Sequence, residues 1–288
     1  MRKIIAMLAL GIITSGYGFS QTSVWRISKG DKKIYLGGSV HLLRQSDFPL
    51  PREFDVAFSD AEVLVLEADV KDPKVITKVL TESMLPAGQT LKSVLTEAQY
   101  QALKDMADEF GVSMTMIEKM KPGMAIMTLT TTATQKINAS MQGVDMYYYD
   151  KVKARNKTVD FLEGIDFQLD LICNTPFDLD EFIKYSTEDA KQLNIESEFD
   201  KLISDWRTGK ATAEKDLKEM KQKYPSIYKA MFSDRNYKWL PKIEKFFEDD
   251  KTEFVLVGAA HLWGEDGLIN LLKKKGYKVG QLRVKKGK

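Results

Sequence analysis

The chain has 288 residues, 43% of them hydrophobic and 29% charged, enough for one large domain with a substantial core. Its formal net charge of +2 supplies no basic excess, which excludes nucleic acid as the expected partner. The single cysteine, Cys173, excludes an intrachain disulfide and reads as a small buried apolar residue.

Arg2 and Lys3 precede an apolar run from Ile4 to Ile13 and a small-residue stretch with Gly18 and Ser20. That is the layout of a secretory signal peptide over residues 1–20, leaving 21–288 as one mature, periplasmic or secreted domain. The run is shorter than the ~20 residues a membrane helix needs, so no transmembrane segment is expected in the mature chain. Val24 to Ser28 and Lys33 to Gly37 read as strands around the turn Lys29-Gly30-Asp31-Lys32. Arg52 to Ser59 makes two helical turns. Val63 to Asp69 is a third strand, whose opening run of apolar residues suits burial on both faces. From Pro73 onward the pattern turns helical. Thr96 opens a helix with the stripe Leu103, Met106 and Phe110 and ends it at Gly111. Met124 to Ile137 reads as a buried helix, although Thr128 to Thr132 contains four threonines, a poor helix run. Gly143 to Asn156 is a helix and Thr158 to Glu163 a fourth strand. Asp178 to Leu240 is nearly all amphipathic helix, punctuated by Gly209 and Pro225. A strand over Glu253 to Gly258, a helix over Asp266 to Lys275 and a strand over Tyr277 to Val284 complete the chain. The expected fold class is α/β, a central sheet built from strands at both chain ends with the large helical middle segment as cap.

Both histidines sit in matching contexts, Gly38-Ser39-Val40-His41-Leu42 and Gly258-Ala259-Ala260-His261-Leu262, each after an apolar strand. Histidine transfers protons near neutral pH and is the commonest metal ligand. Matching strand ends place both imidazoles at one edge of the sheet, where α/β folds build their sites. The glycine three positions earlier is read as permitting a sharp turn. The alternative is a pair of hydrogen-bonded core histidines that orient turns. Glu67 follows an apolar run and reads as a metal ligand or general base, or as a salt bridge at the strand's exit. Asp69 is the competing carboxylate, and Glu67 is preferred to it. Glu163 and Gln168 either bind a ligand or serve a turn. Arg235 and Asn236 lie in an aromatic-rich helix, where the arginine either holds a carboxylate or developing oxyanion or is a surface residue. Asp145 stands at a helix start and, in isolation, reads as capping. No G-x-S-x-G elbow surrounds Ser39, so a serine hydrolase is not expected.

Several of these segments fall in a characteristic order. They are Tyr35-Leu36-Gly37-Gly38-Ser39-Val40-His41, Leu64-Val65-Leu66-Glu67, Lys121-Pro122 and Gly143-Val144-Asp145. Leu162-Glu163 with Gln168, Asp234-Arg235-Asn236 and Val257-Gly258-Ala259-Ala260-His261-Leu262 follow. The set resembles the TraB/GumN family, related to the Tiki metalloproteases, over essentially the whole mature chain. The resemblance implies a fold similar to the erythromycin-esterase and ChaN-like proteins. It also implies a metal-dependent, peptidase-like site built from His41, His261 and Glu67, with Arg235 and Asn236 beside it. Manganese or cobalt is the metal implied, with zinc or iron as alternatives. Ser39 and Gly123 depart from the family, which often has threonine and tryptophan there. The expected function is a metal-dependent hydrolase acting on a peptide or small-molecule substrate. The same residues could instead hold iron or haem without turnover, or hydrolyse esters without metal.

Overall fold

The computed structural model describes residues 22–174, 178–188, 194–209 and 213–284. The expected leader, residues 1–20, lies outside the described residues. Among the described residues, six strands form one sheet: β1 (Val24–Lys29), β2 (Lys32–Ser39), β3 (Val63–Leu66), β4 (Thr158–Phe161), β5 (Glu253–Gly258) and β6 (Lys278–Gln281). Their spatial order is β4-β3-β5-β2-β1-β6. β4, β3, β5 and β2 run parallel; β1 pairs antiparallel with β2, and β6 antiparallel with β1 at the edge. The sheet therefore joins the two ends of the chain, as an α/β fold with a helical middle requires. β5 lies between β2 and β3, so segments more than 180 residues apart become neighbours at its carboxyl end.

Parallel strands need cover on both faces, and the alternation along β5 supplies it. Phe254 and Leu256 face a large core that takes in Phe54 and Phe58 of α1 (Arg52–Asp60) and Phe110 of α2 (Glu97–Phe110). Leu129 of α3 (Pro122–Gln135), Tyr148 of α4 (Val144–Lys151) and apolar residues within 182–185, 199–206 and 213–232 belong to it too. Val255 and Val257 face a second, smaller core. It is built from Leu240 and Ile243 of α7 (Asp234–Lys245) and Leu268 and Leu272 of α8 (Leu268–Lys274). Between these in sequence lie α5 (Ile165–Cys173) and α6 (Ala213–Lys223).

The threonine-rich run is helical, as expected, and three of its hydroxyls are satisfied within the helix. Thr128, Thr130 and Thr132 donate to the carbonyls of Met124, Ile126 and Thr128, four residues back, at 2.8–2.9 Å. Several boundaries differ from expectation. β3 ends at Leu66 and β4 at Phe161, so Glu67, Asp69 and Glu163 lie just past their strands. The helix after Gly143 stops at Lys151, and a 3-10 turn over Lys153–Arg155 follows, closed by Asn156 at φ +52°. Cys173 is buried on α5, and burial pushes its thiol up, away from nucleophilic reactivity. No described helix is long and apolar enough to cross a membrane.

Candidate active site

Four strand ends meet at the carboxyl edge of the sheet. β2 leads through Val40 to His41, β3 directly to Glu67, and β4 through Leu162 to Glu163. β5 leads into a 3-10 turn, Ala259–Leu262, that carries His261. Arg235 and Asn236 arrive from the first turn of α7, directly after a π-helical turn over Lys229–Ser233. Such turns widen a helix and recur at functional sites. The structure thus gathers all five expected residues and adds Glu163, Gln168 and Asp145. Asp69 does not join them, because its carboxylate accepts from the Tyr149 hydroxyl at 2.7 Å.

Neither motif glycine has a positive φ; Gly258, at φ −49°, leads straight into the 3-10 turn. Their reason is space. A Cβ on Gly38 would stand 2.9 Å from Leu262 and 3.1 Å from the Ala259 backbone, where β2 passes the turn after β5. A Cβ on Gly258 would stand 3.4 Å from Glu67 Oε1, 3.5 Å from His41 Nε2 and 3.6 Å from the His261 ring. Glycine leaves that shared hollow open.

His41 is oriented from α4. A Cβ on Gly143 would lie 2.3 Å from the Val40 carbonyl oxygen, so glycine lets the helix begin against the exit of β2. The Val144 N–H donates to that same carbonyl at 3.0 Å. One residue on, Asp145 Oδ1 lies 3.1 Å from His41 Nδ1 and accepts from the Ser39 hydroxyl at 2.7 Å. Asp145 is therefore the partner of His41, a role that its place at a helix start concealed. The signal available in sequence was its membership of the Gly143-Val144-Asp145 segment.

Glu67 accepts from the Gly258 N–H at 2.7 Å through Oε1, and from Arg235 and Gln168 through Oε2. Glu163 accepts from Arg235 through both oxygens, from Gln168, and from the Trp239 indole N–H. His261 Nδ1 faces Asn236 Oδ1 at 2.7 Å, and its Nε2 faces Arg235 Nη1 at 3.1 Å. Charge follows from these contacts. Burial opposes charge on His41, but the Asp145 carboxylate outweighs it and carries the group up to about 9. Burial opposes charge on Glu67 as well. The Arg235 guanidinium, the two histidines and the Gly258 N–H overcome it and hold the carboxyl at about 2. Burial and Arg235 together push His261 down to about 3, so it is neutral.

The TraB/PrgY/gumN family model matches residues 23–281, nearly all of the chain. The chain belongs to this family. It is 24% identical over 245 residues to the uncharacterized protein YbaP of Escherichia coli (strain K12), covering 85% of this chain and 89% of that relative. YbaP of Shigella flexneri is similar to the same extent. A shorter stretch of 83 residues is 36% identical to the metalloprotease TIKI1 of Danio rerio, covering 28% of this chain and 16% of the relative. No solved structure matches the chain.

The likeness to metalloproteases raises the question of whether the side chains at the edge suit a divalent ion. Two donors do: His41 Nε2 and Glu67 Oε1 both face the hollow over Gly258. The third expected donor, His261 Nε2, faces Arg235 instead. Among the described residues, no three His, Cys, Asp or Glu side chains are grouped so that they could hold a metal ion. The fit is to two protein donors, not three.

Proposed function

We propose that the chain is an exported, metal-dependent hydrolase that cleaves peptides at the carboxyl edge of its sheet. The convergence of Glu67 Oε1 and His41 Nε2 on the hollow over Gly258, 3.4 and 3.5 Å from one point, carries this reading. Family membership and the stretch shared with a metalloprotease support it. The basic start and apolar run ahead of Ser20 support export to the periplasm or beyond.

In this reading His41 Nε2 and Glu67 Oε1 hold manganese or cobalt. A bound divalent ion lowers the pKa of water and polarises a carbonyl. Asp145 accepts the Nδ1 proton of His41, which turns Nε2 into the hollow. Held at about 9, the ring carries an Nε2 proton at neutral pH, which it gives up when metal takes that place. Arg235 and the Gly258 N–H keep Glu67 ionised in a buried place. A carboxyl held at about 2 is a weak base at neutral pH, which favours Glu67 as ligand over general base. Gly258, lacking a side chain, leaves room for the scissile bond. Asn236 fixes the ring of His261, and Arg235 holds Glu67, Glu163 and His261 in one frame.

A second reading, metal-free ester hydrolysis, is favoured by the His41–Asp145 pair, an imidazole with its orienting carboxylate that becomes a free base as pH rises toward 9. One experiment separates the two. Purified protein, stripped with a chelator and reloaded with manganese or cobalt, is offered a peptide library and an ester panel. Peptide cleavage should depend on reloading and fall at least ~100-fold in His41→Ala and Glu67→Gln. Ester turnover indifferent to the chelator would select the second reading, and silence on both classes would sink hydrolysis.

A further inference from the structure

The amide nitrogen of Asn236 lies between two carbonyl oxygens, those of His261 at 3.2 Å and Asp266 at 2.8 Å. Carbonyls only accept, so the amide cannot be reversed, and Oδ1 is the atom that faces His261 Nδ1. An amide oxygen also only accepts. The ring proton of His261 therefore sits on Nδ1. On the other side of the ring, Arg235 Nη1 lies 3.1 Å from Nε2, and a guanidinium only donates. Nε2 is therefore the bare nitrogen, and its lone pair is used. The ring is packed against Trp239 and Phe232, with centroids 4.5 and 5.3 Å away, and His261 is 3% exposed.

Arg235 is equally committed. Its Nε and Nη2 donate to Glu163, Nη2 donates also to Glu67, and Nη1 donates to the Met231 carbonyl and to His261. That accounts for all five guanidinium N–H groups. None remains for a substrate oxyanion, so Arg235 acts as a positioning residue. His41 differs at each point. Its Nδ1 is matched by the Asp145 carboxylate, its Nε2 faces the hollow over Gly258, and its side chain is 31% exposed.

We propose that the two G-x-x-H histidines have different roles: His41 presents Nε2 to metal or substrate, while His261 stays outside the coordination shell as the neutral acceptor that fixes Arg235. The repeated motif thus marks one reactive imidazole and one structural imidazole at neighbouring strand ends. Only the part of this inference that concerns metal rests on the proposed function.

The chain has two histidines, so an untagged protein labelled with 15N-histidine gives two ring systems, which His41→Ala assigns. Long-range 1H–15N spectra of the wild-type protein are recorded at pH 7, before and after one equivalent of zinc chloride. The expected result is a neutral His261 ring protonated at Nδ1, unmoved by zinc, and a His41 Nε2 resonance that shifts. A His261 ring protonated at Nε2 or at both nitrogens would overturn the proposal. So would a zinc shift at His261 Nε2, or zinc that moves neither ring. The readout is the ring nitrogens and not turnover, so an inactive preparation tests the proposed function without touching this result.

Discussion

At Gly258 the backbone has φ −49°, open to any L-residue, and an added Cβ would make contacts of 3.4–3.6 Å, ordinary packing distances. Gly258→Ala is therefore expected to fold with a Tm within ~4 °C of the parent. The same methyl group fills the hollow shared by Glu67, His41 and His261, so peptide hydrolysis should drop at least ~100-fold. Thermal unfolding beside a turnover assay checks both halves, and full activity in the variant would place the chemistry elsewhere. His41, His261 and Glu67 were legible in the sequence because each is out of character with its surroundings. Two histidines share one local pattern, and a carboxylate follows an apolar strand. Asp145 was not legible in its role, because it meets His41 only across 104 residues of chain and looks like an ordinary helix cap. Nor could sequence show that Arg235 spends every N–H on the protein, since its carboxylate partners come from two other strand ends.

Helix α4 is placed by contact rather than by propensity. A Cβ on Gly143 would lie 2.3 Å from the Val40 carbonyl oxygen and 2.5 Å from the His41 Cα, both backbone atoms that have no rotamer to yield. Gly143→Ala should cost about 1–3 kcal/mol in urea unfolding, and it should pull Asp145 away from His41. A variant as stable as the parent would mean that α4 can shift without loss. The elements themselves were largely readable, because buried parallel strands are short apolar runs and the helices carry apolar stripes. Their ends were less so. β3 stops at Leu66, one residue before Glu67, whose Oε1 takes the Gly258 N–H on the neighbouring strand, and that is a tertiary contact. The π turn at Lys229–Ser233 has no signature in composition, yet it immediately precedes the residues that reach the site.

Across the whole molecule the two edges of the parallel strands differ in how they treat buried charge. At the carboxyl edge, Glu67 and Glu163 are both matched by Arg235. At the amino edge, Glu253 opens β5 at 3% exposure, and its Oε2 has no hydrogen-bond partner. Burial, with the nearby Asp249 adding to it, pushes Glu253 up from 4.5 to about 7. The folded state therefore holds this proton more tightly than the unfolded chain does. The stabilisation is complete below pH 4.5, declines as pH rises, and is lost once pH passes about 7. A shift of that size corresponds to about 3 kcal/mol. Glu253→Gln keeps the shape and has no proton to lose, so its stability relative to the parent should improve by about 3 kcal/mol between pH 4.5 and pH 8. Any fixed cost of burying the amide is common to both conditions and drops out of that difference. Urea unfolding of both proteins at the two pH values measures it. An unchanged difference would mean that Glu253 titrates alike in the folded and unfolded chains, and that the amino edge tolerates its charge after all.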